Sequence, residues 1–143
     1  MIGFLLDTNV ISELTRPEPD ARVRLWLDTV DESLLFLSVL TLGEIRKGLS
    51  ALGPGQRRAR LEVWLVAELA TRFANRLLTI DAAIADHWGR LAGEAKRAGK
   101  SLPVIDGLLA ATALHHDLKI VTRNTQDFAI HRVESLNPWV QLP

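Results

Sequence analysis

Ile2-Gly3-Phe4-Leu5-Leu6-Asp7-Thr8-Asn9-Val10-Ile11-Ser12-Glu13-Leu14 is the stretch that decides the fold. Ile2–Leu6 is an unbroken apolar run, the pattern of a strand buried on both faces of a parallel sheet. Asp7 ends the run. Thr8–Leu14 then reads as a short helix that stops before Pro17 and Pro19. Strand, acid and helix in that order place the carboxylate at the edge of an α/β sheet where ligands collect.

The same order recurs along the chain. Leu34–Leu40 reads as a second strand, and Thr41 starts a helix to about Leu52, broken by Gly53-Pro54-Gly55. Before it, Asp20 can cap a helix with Val23, Leu27 and Val30 on one face. Gln56–Phe73 reads as one long helix, with Leu61, Leu65, Leu69 and Phe73 on one side. Leu77–Ile80 is a third strand. Asp81 caps a helix carrying Ile84, Trp88, Leu91 and Ala95 at helical spacing, and a polar loop, Ala98–Pro103, follows. Val104–His116 is an apolar, central helix, Lys119–Thr122 a fourth strand, and Val133–Leu136 a short fifth. This alternation predicts a three-layer α/β/α domain with a mainly parallel central sheet, one domain over residues 1–143.

The chain has 143 residues, 48% hydrophobic and 24% charged, which supports one folded core rather than disorder. It has no cysteine, which excludes disulfides, thiolate-bound zinc and a thiol nucleophile, and which suits a cytoplasmic protein. The N-terminal apolar run lacks the form of a signal peptide, and no run approaches the ~18 apolar residues of a membrane span. Seventeen basic and seventeen acidic residues give zero formal net charge. Any binding to nucleic acid therefore rests on local patches.

Of four candidate acids, Asp7, Glu44 and Asp106 stand where apolar segments turn polar, and Asp127 lies just beyond Lys119–Thr122. Each has an ordinary structural explanation. Asp7 suits a helix N-cap. Thr41-Leu42-Gly43-Glu44 fits a capping box, with Glu44 at its third helical position. Asp106 suits the first turn of a helix dipole. Asp127 fits a loop with Asn124. Two features of the Asp106 segment go further. Its helix is almost wholly apolar, and Gly107 costs about 1 kcal/mol of helix propensity relative to alanine. A residue without a side chain beside the acid implies close approach to the backbone. Together, several facing carboxylates repel and resist burial unless a cation offsets them. An oxygen-only donor set, without cysteine or histidine at metal spacing, points to Mg²⁺ or Mn²⁺.

The segments around these acids resemble the motifs of PIN-domain proteins. Leu5–Glu13 is similar to their first motif, Ser38–Ile45 to the second, Ile105–Ala113 to the third and Val121–Phe128 to the fourth. Asn137-Pro138-Trp139 resembles a C-terminal ending common in VapC/FitB-type toxins of bacterial toxin–antitoxin pairs. The resemblance covers essentially the whole chain in the right order. It implies an endoribonuclease dependent on Mg²⁺ or Mn²⁺, dimeric, and neutralised by a cognate antitoxin through which alone it would meet promoter DNA. It carries Asp7, Glu44 and Asp106 into the acidic metal site. The family's fourth acid often falls where this chain has Asn124; Asp127, three residues on, is then a substitute, a ligand through water or a structural residue only, and a second metal stays open. Thr8, Asn9, Ser38, Thr122 and Asn124 are candidates to support the acids. A catalytically inactive relative that binds RNA or protein is the alternative.

Two other small α/β readings fit less well. A phospho-acceptor receiver domain needs paired acids at the end of the first strand, where Asp7 stands alone. A D-x-D-x-T phosphatase needs an acid where Asn9 lies. Arg16, Arg46, Lys47, Arg97, Lys100 and Arg123 are candidate phosphate contacts. The four histidines form no H-E-x-x-H pattern. The tryptophans read as core, with Trp26, Trp64 and Trp139 as candidate partner contacts.

Overall fold

Successive residues of a strand face opposite sides of its sheet, and the burial of the central strands sorts the molecule into layers accordingly. The computed structural model describes residues 2–129 and 131–140. Five strands, β1 (Phe4–Leu6), β2 (Leu35–Ser38), β3 (Leu77–Leu78), β4 (Lys119–Val121) and β5 (Ser135–Leu136), form one sheet in the order β3-β2-β1-β4-β5. Every pairing is parallel. The helices are α1 (Thr8–Leu14), α2 (Ala21–Thr29), α3 (Val39–Ala51), α4 (Gln56–Val63), α5 (Ala70–Arg72), α6 (Ala82–Arg97), α7 (Val104–His115) and α8 (Thr125–Ala129).

Leu6, Leu35, Leu37 and Val121 pack with Val10, Val23, Trp26 and Leu49, which puts α1, α2 and α3 on one face. Leu5 and Ile120 pack instead with Leu109, Ala110 and Phe128, which puts α7 and α8 on the other. This is the expected three-layer α/β/α arrangement. The small side chains of α7 let its backbone lie close to the sheet. The N-terminal strand needs the same closeness: a Cβ on Gly3 would lie 2.9 Å from Leu118 and 3.1 Å from the Leu34 carbonyl. Among the described residues, no helix is long and apolar enough to cross a membrane.

The sheet grows outward from β1 in both directions, so the strand order reverses between β1 and β4. A crevice opens at the carboxyl ends of strands where such a reversal occurs. Asp7 follows β1 and Thr122 follows β4 at that reversal.

Several boundaries differ from the sequence expectation. Ser38, not Thr41, caps α3, because its side chain accepts from the Leu40 N–H at 3.0 Å. The helix therefore starts at Val39, and Glu44 lies in its second turn rather than in a capping box. Sequence could not place this joint because Val39-Leu40 continues the apolar run of the strand. The long helix Gln56–Phe73 contains a π-helical stretch, Trp64–Leu69. A stripe at four-residue spacing drifts about 40° per turn around a 3.6-residue helix, and the wider i→i+5 turn absorbs that drift while keeping Leu65, Leu69 and Phe73 buried. β3 ends at Leu78, two residues short of expectation, and α8 was not anticipated.

Candidate metal centre and active site

Asp7 is the most firmly held of the acids. Its Oδ1 accepts from the Thr8 N–H at 2.8 Å, so the acid caps α1. Its Oδ2 accepts from Thr122 Oγ1 at 2.8 Å and lies 3.4 Å from Asn9 Nδ2. Thr122 is fully buried and is the hub of this corner. Its hydroxyl donates to Asp7 and accepts from Asn9 Nδ2 at 3.2 Å and from the Asn124 N–H at 3.0 Å. Asn9 Oδ1 accepts from the Arg123 N–H at 3.3 Å and so ties α1 to the loop after β4.

Glu44 is reached from the other side. Thr8 Oγ1 donates to its Oε1 at 2.5 Å, and Thr41 Oγ1 lies 3.5 Å from Thr8 Oγ1. Thr41 was expected only to start α3. Instead it is buried beside Thr8, a neighbour that lies 33 residues away in sequence and has no local signal. The Ser38 hydroxyl accepts from the Leu40 N–H and so caps α3, with its own proton still available to donate.

Asp106 stands in the first turn of α7, which has no side-chain cap. Its neighbour Gly107 is required by packing, since a Cβ there would sit 2.9 Å from the indole of Trp88 on α6. The bulkless residue beside the acid thus reflects the close approach inferred from sequence, and the approaching group is Trp88. Asp127 is in the first turn of α8, not in a loop, and its N–H donates to the Asn124 carbonyl at 3.0 Å.

Electrostatics show that the acids share one neighbourhood. Burial pushes the Asp106 carboxyl up to about 6, with Asp7, Asp127 and Glu44 repelling in the same direction. Asp7 is also raised, by burial first and by Glu44 and Asp127 after it, against the opposing hydrogen bonds of Thr122 and Thr8. Among the described residues, no lysine or arginine forms an ion pair with any of the four acids. Nor do any three acidic or histidine side chains already close on a single point. The four acids lie near enough to repel one another, and among the described residues none of them is ion-paired. Their oxygen-only chemistry fits a hard divalent cation. The carboxylates of Asp106 and Asp127 accept no hydrogen bond among the described residues, so both are free to turn toward one.

These elements, in this order and around these acids, match a known family model over residues 4–134, that of the PIN domain. The chain belongs to the PIN-domain family. It is 38% identical over 136 residues to a VapC ribonuclease of Sinorhizobium fredii, spanning 95% of this chain and 97% of that one. It is 39% identical over 136 residues to the toxin FitB of Neisseria gonorrhoeae, spanning 95% and 98%. A solved structure of FitAB bound to a DNA fragment superposes with a TM-score of 0.90 at 36% identity, covering 98% of each chain.

The candidate phosphate-contacting cations of this PIN domain divide into two groups. Arg16 is paired with Glu13 at 3.4 Å, and Arg46 lies 4.0 Å from Glu62. Arg123 stacks over Trp139, 5.1 Å from the ring centroid. Lys47, Arg97 and Lys100 are exposed and unpaired among the described residues. Trp26 and Trp139 are core residues, which removes them as partner contacts, whereas Trp64 is partly exposed.

Proposed function

We propose that this PIN domain is the ribonuclease toxin of a toxin–antitoxin pair, a hydrolase of RNA phosphodiesters that requires Mg²⁺ or Mn²⁺. The observation that carries the reading is four carboxylates on one crevice with no protein cation among them. The end-to-end similarity to a VapC ribonuclease and to FitB supports the choice of substrate class. The FitAB complex on DNA supports a partner protein, an antitoxin, that brings the pair to its promoter. A homodimer within such an assembly belongs to the same reading.

Asp7, Glu44 and Asp106 would hold the cation, with Asp127 as a fourth donor. When bound, the cation polarises a phosphate oxygen and lowers the pKa of water. The chain's own residues set the geometry. Thr122 and the Thr8 N–H fix the Asp7 carboxylate, so it needs no reorganisation on binding. Thr8 occupies Glu44 Oε1 and leaves Oε2 to accept a hydrogen bond from the attacking water. Asp106 must lose its proton for the cation to bind, which ties activity to pH near its value of about 6. Lys47, Arg97 and Lys100 offer charge to the flanking phosphates, and such contacts weaken as salt rises.

The test is cleavage of RNA by wild type and Asp7→Asn with Mg²⁺ or Mn²⁺ and with EDTA. The reading expects cleavage only by wild type and only with the metal. Equal cleavage by both proteins would overturn it, and binding without any cleavage would favour an inactive relative.

A further inference from the structure

A groove of about 140 Å³ opens directly off the acidic crevice, between α1, α3 and the helix that follows. Thr8 and Glu44, already part of the crevice, line it together with Ser12, Gly48, Leu49 and Trp64. Three properties define what it can hold. No lysine, arginine or histidine lines it, and one carboxylate does, so it repels a phosphate. Its walls are otherwise mixed: hydroxyls on α1, aliphatic side chains on α3, and the indole of Trp64. The Ser12 hydroxyl has no hydrogen-bond partner among the described residues, and a Cβ on Gly48 would meet nothing within 4 Å. A narrow, open cleft of this kind admits one planar ring system.

We propose that this groove receives a single unstacked nucleobase of the RNA, next to the bond that is cut. The assignment rests on the ribonuclease reading above and deepens it. Proteins read single-stranded RNA by splaying bases onto aromatic surfaces and hydrogen-bonding their edges. Here Trp64 supplies the aromatic surface, and the Ser12 hydroxyl supplies a hydrogen-bonding group for a base edge. Continuity with Glu44 and Thr8 makes the groove part of the substrate path, and its lack of cations separates base from backbone.

Gly48 provides the test. It lies within α3, where leucine has better helix propensity than glycine by about 1 kcal/mol, so Gly48→Leu fills the groove without opposing the helix. Circular dichroism and thermal melting confirm that the variant folds. A fluorescent RNA cleaved by the wild type is compared with two copies carrying an abasic residue on one or the other side of the cut. Binding is read by anisotropy in EDTA, and cleavage by KM and kcat with Mg²⁺ or Mn²⁺. One abasic position is expected to weaken wild-type binding at least fivefold and to raise KM more than it lowers kcat. The ratio between intact and abasic RNA falls to about one in Gly48→Leu and persists in Gly48→Ala. A wild type indifferent to both abasic positions, or a Gly48→Leu protein that discriminates as wild type does, overturns the base subsite while leaving the ribonuclease intact. A wild type that cleaves no RNA overturns the ribonuclease reading, and the subsite falls with it.

Discussion

Asp7 sits at the end of a central strand with donors from Thr8, Thr122 and Asn9 on its carboxylate, whereas Asp106, in the first turn of α7, accepts none. Both are raised by burial, yet only Asp7 has hydrogen bonds that oppose the rise. The strand side of the crevice is thus organised by polar contacts, and the α7 side by packing, with Gly107 set against Trp88. One acid is fixed before any cation arrives. The other is left with a desolvation cost that a cation would relieve.

The sharpest way to break this contrast is to neutralise each acid. Asp7→Asn and Asp106→Asn should each lower kcat/KM for RNA at least about a hundredfold, roughly 3 kcal/mol of transition-state stabilisation. Their stabilities should then diverge. Asp106→Asn removes only a strained charge and should leave the metal-free protein as stable as wild type or more so at pH 7.5. Asp7→Asn disturbs a hydrogen-bonded hub and should destabilise it, as read by urea unfolding. Equal stability changes would erase the distinction.

Thr122→Val should come next. It removes the hub hydroxyl and leaves the buried Asp7 carboxylate short of a donor and the partly exposed Asn9 and Asn124 short of an acceptor, at a cost of about 1–3 kcal/mol. Denaturant midpoints at constant m-value check this. A cost near zero would mean that Asp7 is not held as described.

On the packing side, Gly107→Ala should cost about 1–2 kcal/mol net, because overlap with Trp88 outweighs the gain in helix propensity. Adding Trp88→Ala should remove most of the penalty that Gly107→Ala causes, a coupling measurable in a double-mutant cycle. Additive effects would show that Gly107 and Trp88 do not oppose each other.

The smallest effect is on pH. The Asp106 pKa lies at about 6 in the folded chain, above its ordinary 3.8. The folded state therefore binds more protons than the unfolded state between those values, and the stability from this group falls as pH rises through that window. Asp106→Asn lacks this loss, so its advantage over wild type should grow from pH 5 to pH 7.5 in EDTA. An advantage independent of pH would show that Asp106 does not titrate there.

The strand–acid–helix order at Asp7 and the apolar helix behind Asp106 were legible in sequence because both are local patterns. So was the need for space beside Gly107, although the neighbour's identity, Trp88, was not. The expected capping box failed for a local reason: Ser38 and Thr41 are equivalent candidates in an apolar run with no mark between strand and helix. The contacts that organise the site were invisible for a different reason. Thr122 meets Asp7 across 115 residues, and Thr8 meets Glu44 across 36. Only the adjacency of β1 to β4 and of β1 to β2 brings them together.

The central claim is that these acids form one divalent-cation site, and titration of metal-free protein with Mn²⁺, followed by electron paramagnetic resonance, tests it most directly. Wild type should bind saturably at pH 7.5 and at least about tenfold more weakly at pH 5, as Asp106 takes up its proton, with binding lost in Asp7→Asn and Asp106→Asn. Mn²⁺ binding unchanged by either substitution would contradict the account.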